Sequence, residues 1–61
     1  MKSLKQIYSI TETKNSFIFQ NSFNIHIELD KTNGNFITGN VYDNEQTRVL
    51  FKKLYKIALN N

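Results

Sequence analysis

The chain has no cysteine, no proline and no tryptophan, and its 61 residues include only one histidine and two glycines. Without cysteine it forms no disulfides, and a single histidine cannot fill the four-ligand site of a structural zinc ion. Neither glycine lies in a glycine-rich loop of the kind that binds phosphate. The composition therefore excludes disulfide-stabilised and zinc-finger folds, and we expect neither a metal nor a cofactor.

Long hydrophobic runs are also missing from the sequence. No apolar stretch approaches the roughly 20 residues that span a bilayer, and the amino-terminal residues lack the apolar centre of a signal peptide. The absence of cysteine is consistent with a reducing compartment. We expect a cytoplasmic protein that does not enter a membrane.

The length of the chain predicts one small domain, which we place at residues 1–61. A domain of this size buries only about 60% of the surface of its unfolded chain, so its stability is small. Because disulfides and zinc are excluded, self-association is the remaining way to bury more surface. We expect a homodimer, and a small stable monomer is the alternative.

The clearest pattern is the alternation of apolar and polar residues in FNIHIELD, residues 23–30. Such alternation is typical of a strand with one buried face and one exposed face. Residues 4–13 are rich in β-branched side chains and predict an earlier strand. From residue 17 to residue 29, apolar side chains occupy every odd position except 21, which favours one long bent strand over residues 16–30. A turn at residues 20–22 between two shorter strands is the alternative.

The segment DKTNGN, residues 30–35, predicts a hairpin turn. A three-residue loop ending in Gly34, with this glycine in the left-handed conformation of a bulge, pairs residues whose numbers sum to 66. A two-residue loop would mismatch the apolar rows of the two strands. Because register follows the buried face, we predict the three-residue loop. It makes three apolar-face pairs: Ile25 with Val41, Ile27 with Gly39, and Leu29 with Ile37. Gly39 would then leave a hollow for a side chain from a packed helix.

From about residue 44 to residue 59, apolar side chains recur at helical spacing and predict an amphipathic helix. Asp43 is the expected N-cap, with Gln46 three residues later. The helix would cover the odd-numbered face of the sheet. The fold class we predict is α+β, an antiparallel sheet of three or four strands followed by one carboxy-terminal amphipathic helix, β-β-β-α or β-β-β-β-α.

No arrangement of residues indicates catalysis. His26 is the only histidine, and a general base needs a substrate pocket and an orienting partner. Glu28 lies on the same face, but no Ser/His/Asp arrangement follows from the spacing. We therefore expect that the protein is not an enzyme.

Two surfaces are candidates for binding. The outer sheet face would carry two aromatic residues beside polar and acidic ones, a combination that suits a protein partner: His26, Glu28, Phe36, Thr38, Asn40 and Tyr42. The outer helix face would carry clustered basic residues, which neutralise phosphates in nucleic-acid complexes: Arg48, Lys52, Lys53 and Lys56. A solvated helix face and a sheet face that merely covers its neighbours are the alternatives.

The order of elements resembles the AP2-like DNA-binding domains, most closely in NVYDNEQTRVLFKKLYKIA, residues 40–58, where a strand ends at an aromatic-Asp pair and a helix begins. The resemblance implies a three-stranded antiparallel sheet before one amphipathic helix. AP2-like domains read DNA with Arg and Trp on the exposed strands, where this chain has Asn24, His26, Glu28 and Asp30. No residue of the DNA-reading surface carries over to this sequence.

These observations predict a small non-enzymatic regulatory or inhibitor protein that binds a host protein. Nine asparagines, and seven lysines among the eight basic residues, fit the codon usage of an AT-rich genome. We therefore expect a phage or another mobile element of a low-GC bacterium as the source. The alternative function is a small basic nucleic-acid-binding module, dimeric, for DNA or RNA; the net charge of +3 permits it.

Overall fold

The structure is a computed structural model of the chain, and it describes residues 3–60. Its elements are α1 (Leu4–Ile7), β1 (Ser9–Glu12), β2 (Ser16–Gln20), β3 (His26–Asp30), β4 (Phe36–Gly39) and α2 (Glu45–Leu59). The strands form one antiparallel sheet in the order β1-β2-β3-β4. The predicted α+β fold, with four strands followed by a carboxy-terminal helix, is confirmed.

The amino-terminal strand is shorter than the sequence predicts. We predicted a strand over residues 4–13, but its first part is the helix α1 and only residues 9–12 pair with β2. The N–H of Ser3 donates to the side chain of Gln6 at 3.0 Å, which closes the start of the helical turn. Leu4 packs against the buried core. This tertiary contact outweighs the β propensity of the segment.

The second and third strands form a hairpin, so the favoured long bent strand over residues 16–30 is wrong and the alternative turn is correct. The connection spans residues 21–25 and uses asparagine where glycine is more usual. The side chain of Asn21 accepts from the N–H groups of Phe23 and Ile25 at 2.9 and 3.1 Å. Asn24 adopts a left-handed conformation with φ 65°, which asparagine tolerates better than most residues.

The third hairpin has the predicted register at one end and a bulge at the other. Ile27 pairs with Gly39 as predicted, but Leu29 pairs with Phe36. The N–H of Asp30 donates to the carbonyl of Asn35, so the loop has one residue more than predicted. Gly34 is left-handed as expected, with φ 78°. The extra residue on β4 is Ile37, which stays 49% exposed.

The core lies between the sheet and α2. The bulge turns Phe36 toward the helix, where its ring stacks on Phe51 with centroids 4.9 Å apart. Tyr55 packs against Phe17 and donates its hydroxyl to the carbonyl of Lys31 at 2.8 Å. Among residues 3–60, seven hydrophobic side chains are buried, four from the predicted odd-numbered sheet face and three from the helix: Phe17, Phe19, Ile27, Leu29, Phe51, Leu54 and Ala58.

The carboxy-terminal helix begins within a residue of its predicted start, but its N-cap is Asn44 and not Asp43. Asn44 accepts from the N–H of Thr47 at 3.0 Å, and the hydroxyl of Thr47 accepts from the N–H of Asn44 at 2.9 Å. Asp43 instead accepts from Nε of Arg48 at 2.9 Å, which raises the pKa of that guanidinium.

Within residues 3–60, no helix combines the length and hydrophobicity needed to cross a membrane.

Candidate binding surfaces

The structure divides the six residues predicted for the sheet surface into three groups. Glu28 and Thr38 face each other on β3 and β4, as the register required. Phe36 packs inside against the helix, so its assignment to the outer face is wrong. The other three lie at one end of the sheet, where β3 begins and the chain leaves β4: His26, Asn40 and Tyr42.

Asn40 joins two segments of chain at this end. Its side-chain oxygen accepts from the N–H of His26 at 2.8 Å, and its side-chain nitrogen donates to the carbonyl of Asn24. Its own N–H donates to the carbonyl of His26 at 3.0 Å. Three hydrogen bonds of this asparagine thus hold the chain after β4 against Asn24 of the β2–β3 loop and against His26 at the start of β3.

Two aromatic side chains point into solvent from this fixed backbone. Phe23 is 79% exposed, and its N–H donates to the side-chain oxygen of Asn21. Tyr42 is 85% exposed, and its carbonyl accepts from the hydroxyl of Thr47. We call this surface the aromatic end, and its members are Phe23, His26, Asn40 and Tyr42.

Polar groups lie beside the aromatic side chains. A depression of about 250 Å³ is formed by side chains of the β2–β3 hairpin: Gln20, Asn21, Asn24, Ile25 and His26. The amide nitrogen of Gln20 lies 3.1 Å from Nδ1 of His26, which orients the imidazole. The aromatic end therefore combines large apolar groups with amide donors and acceptors, as protein-recognition surfaces do.

Two carboxylates of the sheet, Asp30 and Glu12, have structural partners. Asp30 accepts from the hydroxyl and the N–H of Thr32, and these bonds hold the pKa of its carboxyl below the ordinary value. Glu12 pairs with Lys31 at 2.6 Å. In the described part of the chain, no three His, Asp or Glu side chains lie close enough to share a metal ion.

The basic residues predicted on the helix lie on its exposed side. Arg48 is paired with Asp43. Lys52, Lys53 and Lys56 form no ion pair with any acidic side chain that the structure describes. Lys5 of α1 joins Lys53 and Lys56 across a shallow groove of about 510 Å³, lined by Leu4, Lys5, Lys53, Lys56, Ile57 and Asn60. Sequence analysis missed Lys5, because only the packing of α1 against α2 brings it to this surface.

A comparison of the chain with known protein families, with curated proteins and with solved structures finds no match. The AP2-like resemblance thus rests on the order of elements alone. The structure also departs from that order, since four strands and not three precede the long helix, and the short helix α1 precedes the strands.

Proposed function

We propose that the protein is a small non-enzymatic regulatory or inhibitor protein that binds a protein partner through the aromatic end. One observation carries the proposal: Phe23 and Tyr42 stay 79% and 85% exposed although the backbone beneath them is held by hydrogen bonds. Large apolar side chains on an ordered surface are typical of interaction sites. A host protein as the partner and a mobile element as the source belong to the same proposal.

The energetics of association favour this arrangement. Burying the exposed part of an aromatic side chain contributes on the order of 2 kcal/mol per ring, before the cost of association is subtracted. A preformed loop loses little conformational entropy on binding, so more of that contribution appears as affinity. Asn21 and Asn40 supply the preformed geometry, because together they fix both ends of the loop that carries Phe23.

Site-specific photo-cross-linking tests the surface. With benzoylphenylalanine in place of Phe23, we expect a cross-link to one host protein, and excess wild-type chain should compete it away. The variant F23S/Y42S should compete at least about 100-fold less well, because central aromatic residues contribute roughly 2 kcal/mol or more each. Measured cross-link yield against competitor concentration gives the ratio.

The matched control places the same photoreactive group at Val49. This residue is also apolar and 55% exposed, but it lies on α2. Cross-linking from position 49 should give no product that wild-type chain competes. Equal competition by wild type and F23S/Y42S, with both folded by circular dichroism, would remove the aromatic end from the proposal.

A second candidate function is nucleic-acid binding through the exposed side of α2. The observation that favours it is a set of three lysines without acidic partners among the described residues, Lys5, Lys53 and Lys56, which line one groove although they come from two helices. Lys52 extends the basic surface toward Arg48. Unpaired cations that share one surface release counterions when they contact phosphates. Arg48 is less available, since Asp43 already neutralises it.

Salt dependence tests this second function. If three or four lysines contact phosphates, affinity for double-stranded DNA should fall about 20- to 50-fold between 50 and 150 mM salt. The variant K53Q should lower the slope of log K against log salt by about one. K14Q, which removes the same charge from the β1–β2 turn, should leave the slope unchanged. Fluorescence anisotropy measures the affinity, and no binding at 50 mM salt would exclude the function.

A further inference from the structure

We propose that two copies of the chain pair through the free edge of β1 and join their sheets into one sheet of eight strands. This inference identifies the surface and the geometry of the homodimer that the sequence predicts. It does not depend on the aromatic end or on the lysines, since neither group lies on β1.

The two edges of the sheet differ in regularity. The edge strand β4 has a bulge opposite Glu28 and Leu29, which disturbs its pairing. The edge strand β1 pairs with β2 in four consecutive regular steps and contains no bulge, proline or lysine. Proteins protect free edges with bulges, prolines and charged side chains. The one charged residue of β1 is Glu12, and its carboxylate is paired with Lys31 of its own chain, so this edge is available for pairing with another strand.

The hydrogen-bonding pattern identifies the free backbone groups of β1. The N–H of Thr13 donates to the carbonyl of Ser16, which makes this a hydrogen-bonded pair. Hydrogen-bonded and non-hydrogen-bonded pairs alternate along an antiparallel ladder, so the backbone groups of Ser9 and Thr11 also bond to β2. The backbone groups of the residues between these positions point away from β2. The N–H and C=O of Ile10 and Glu12 therefore face away from the sheet.

The β1 sequence is complementary to a second copy of itself. In a two-fold antiparallel pair centred on Thr11, Ile10 lies opposite Glu12 of the second copy, and Glu12 lies opposite Ile10 of the second copy. These are the outward-facing residues, so the two pairs exchange four hydrogen bonds. Thr11 lies opposite its own copy, and threonine pairs stabilise neighbouring strands.

The charges also permit this pairing. No acidic side chain lies opposite another, and Glu12 keeps its bond to Lys31 within its own chain. The two-fold axis is perpendicular to the sheet, so both α2 helices lie on the same side of the dimer. An unrelated extended segment would lack this reciprocal match, which is why we assign the edge to a second copy.

Cysteine substitution tests the register directly, because the natural chain has no cysteine. Thr11 and its copy form a non-hydrogen-bonded pair with Cα atoms about 4.5 Å apart, a distance that a disulfide spans. We expect T11C to become mostly covalent dimer under mild oxidation at about 50 μM protein. The control S9C, on the same edge, should give less than about a tenth of that yield, since Ser9 lies opposite Thr13 of the second copy.

Solution mass of the wild type and of E12P provides the second measurement. The wild type should have twice the 7.2 kDa mass of the chain in light scattering. Proline at position 12 removes an outward N–H and no bond to β2, so the sheet should persist while the dimer is lost. A monomeric wild type, equal disulfide yields for T11C and S9C, or a folded E12P that remains dimeric would each overturn the proposal.

Discussion

Replacement of Phe19 by alanine is expected to remove most or all of the free energy of unfolding. The side chain is fully buried between the sheet and α2, with 0% exposure. A phenylalanine-to-alanine change at such a site costs about 3–5 kcal/mol, because apolar burial is lost and a cavity remains. Single domains have roughly 0.05–0.15 kcal/mol of stability per residue, so a chain of this size has only a few kcal/mol to lose.

The same substitution at Phe23 is the matched control for Phe19. Phe23 has the identical side chain but is 79% exposed, and exposed substitutions usually change stability by less than about 0.5 kcal/mol. Urea denaturation followed by circular dichroism at 222 nm measures both variants. Equal losses at the two positions would contradict the assignment of Phe19 to the core and of Phe23 to the surface.

Replacement of Gly39 by alanine is expected to cost about 2–3 kcal/mol, in the range of overpacked interiors. A Cβ atom at this position would lie 2.4 Å from the carbonyl oxygen of His26 and 3.2 Å from Cα of Ile27. These are backbone atoms of β3, so the strand itself would have to move. Glycine is required here by the close approach of the neighbouring strand, since its own φ is not left-handed.

The sign of the change in stability distinguishes a steric clash at position 39 from the usual effect of replacing glycine by alanine. Where the native backbone accommodates a side chain, a glycine-to-alanine change stabilises by about 0.4–1 kcal/mol through the unfolded state. T38A is the control, because Thr38 is the exposed neighbour on the same strand and its loss should cost less than about 1 kcal/mol. Denaturation midpoints compare the variants, and a more stable G39A would show that no clash exists.

Gly39 also shows where the sequence-based prediction of the second half of the hairpin fails. We expected a hollow that a helix side chain would fill, opposite Ile27. The pairing with Ile27 is correct, but the space is taken by the carbonyl of His26 and the ring of Phe36. That ring lies inside only because the bulge on β4 shifts the alternation by one residue. Nothing in the sequence of β4 distinguishes a bulged strand from a regular one.

The candidate binding site could be predicted in part. Three of the six residues assigned to the sheet surface, His26, Asn40 and Tyr42, lie at the aromatic end. Phe23 was placed in the buried row of a strand because it continues the odd-numbered alternation. The signal that could have corrected this is the pair Asn21 and Asn24 on either side, since asparagine forms side-chain turns and tolerates left-handed backbone.

Local patterns in the sequence determined some of the elements, but not α1 or the break between β2 and β3. Helical spacing of apolar residues located α2, strict alternation located β3, and Asn-Gly located the last turn, because each depends on neighbours within a few residues. Tertiary structure alone decided which edge of the sheet is regular, which side of β4 Phe36 occupies, and that Lys5 joins the lysines of α2. Those features depend on contacts between residues far apart in the chain, where small differences in packing free energy choose between registers that the local pattern allows equally.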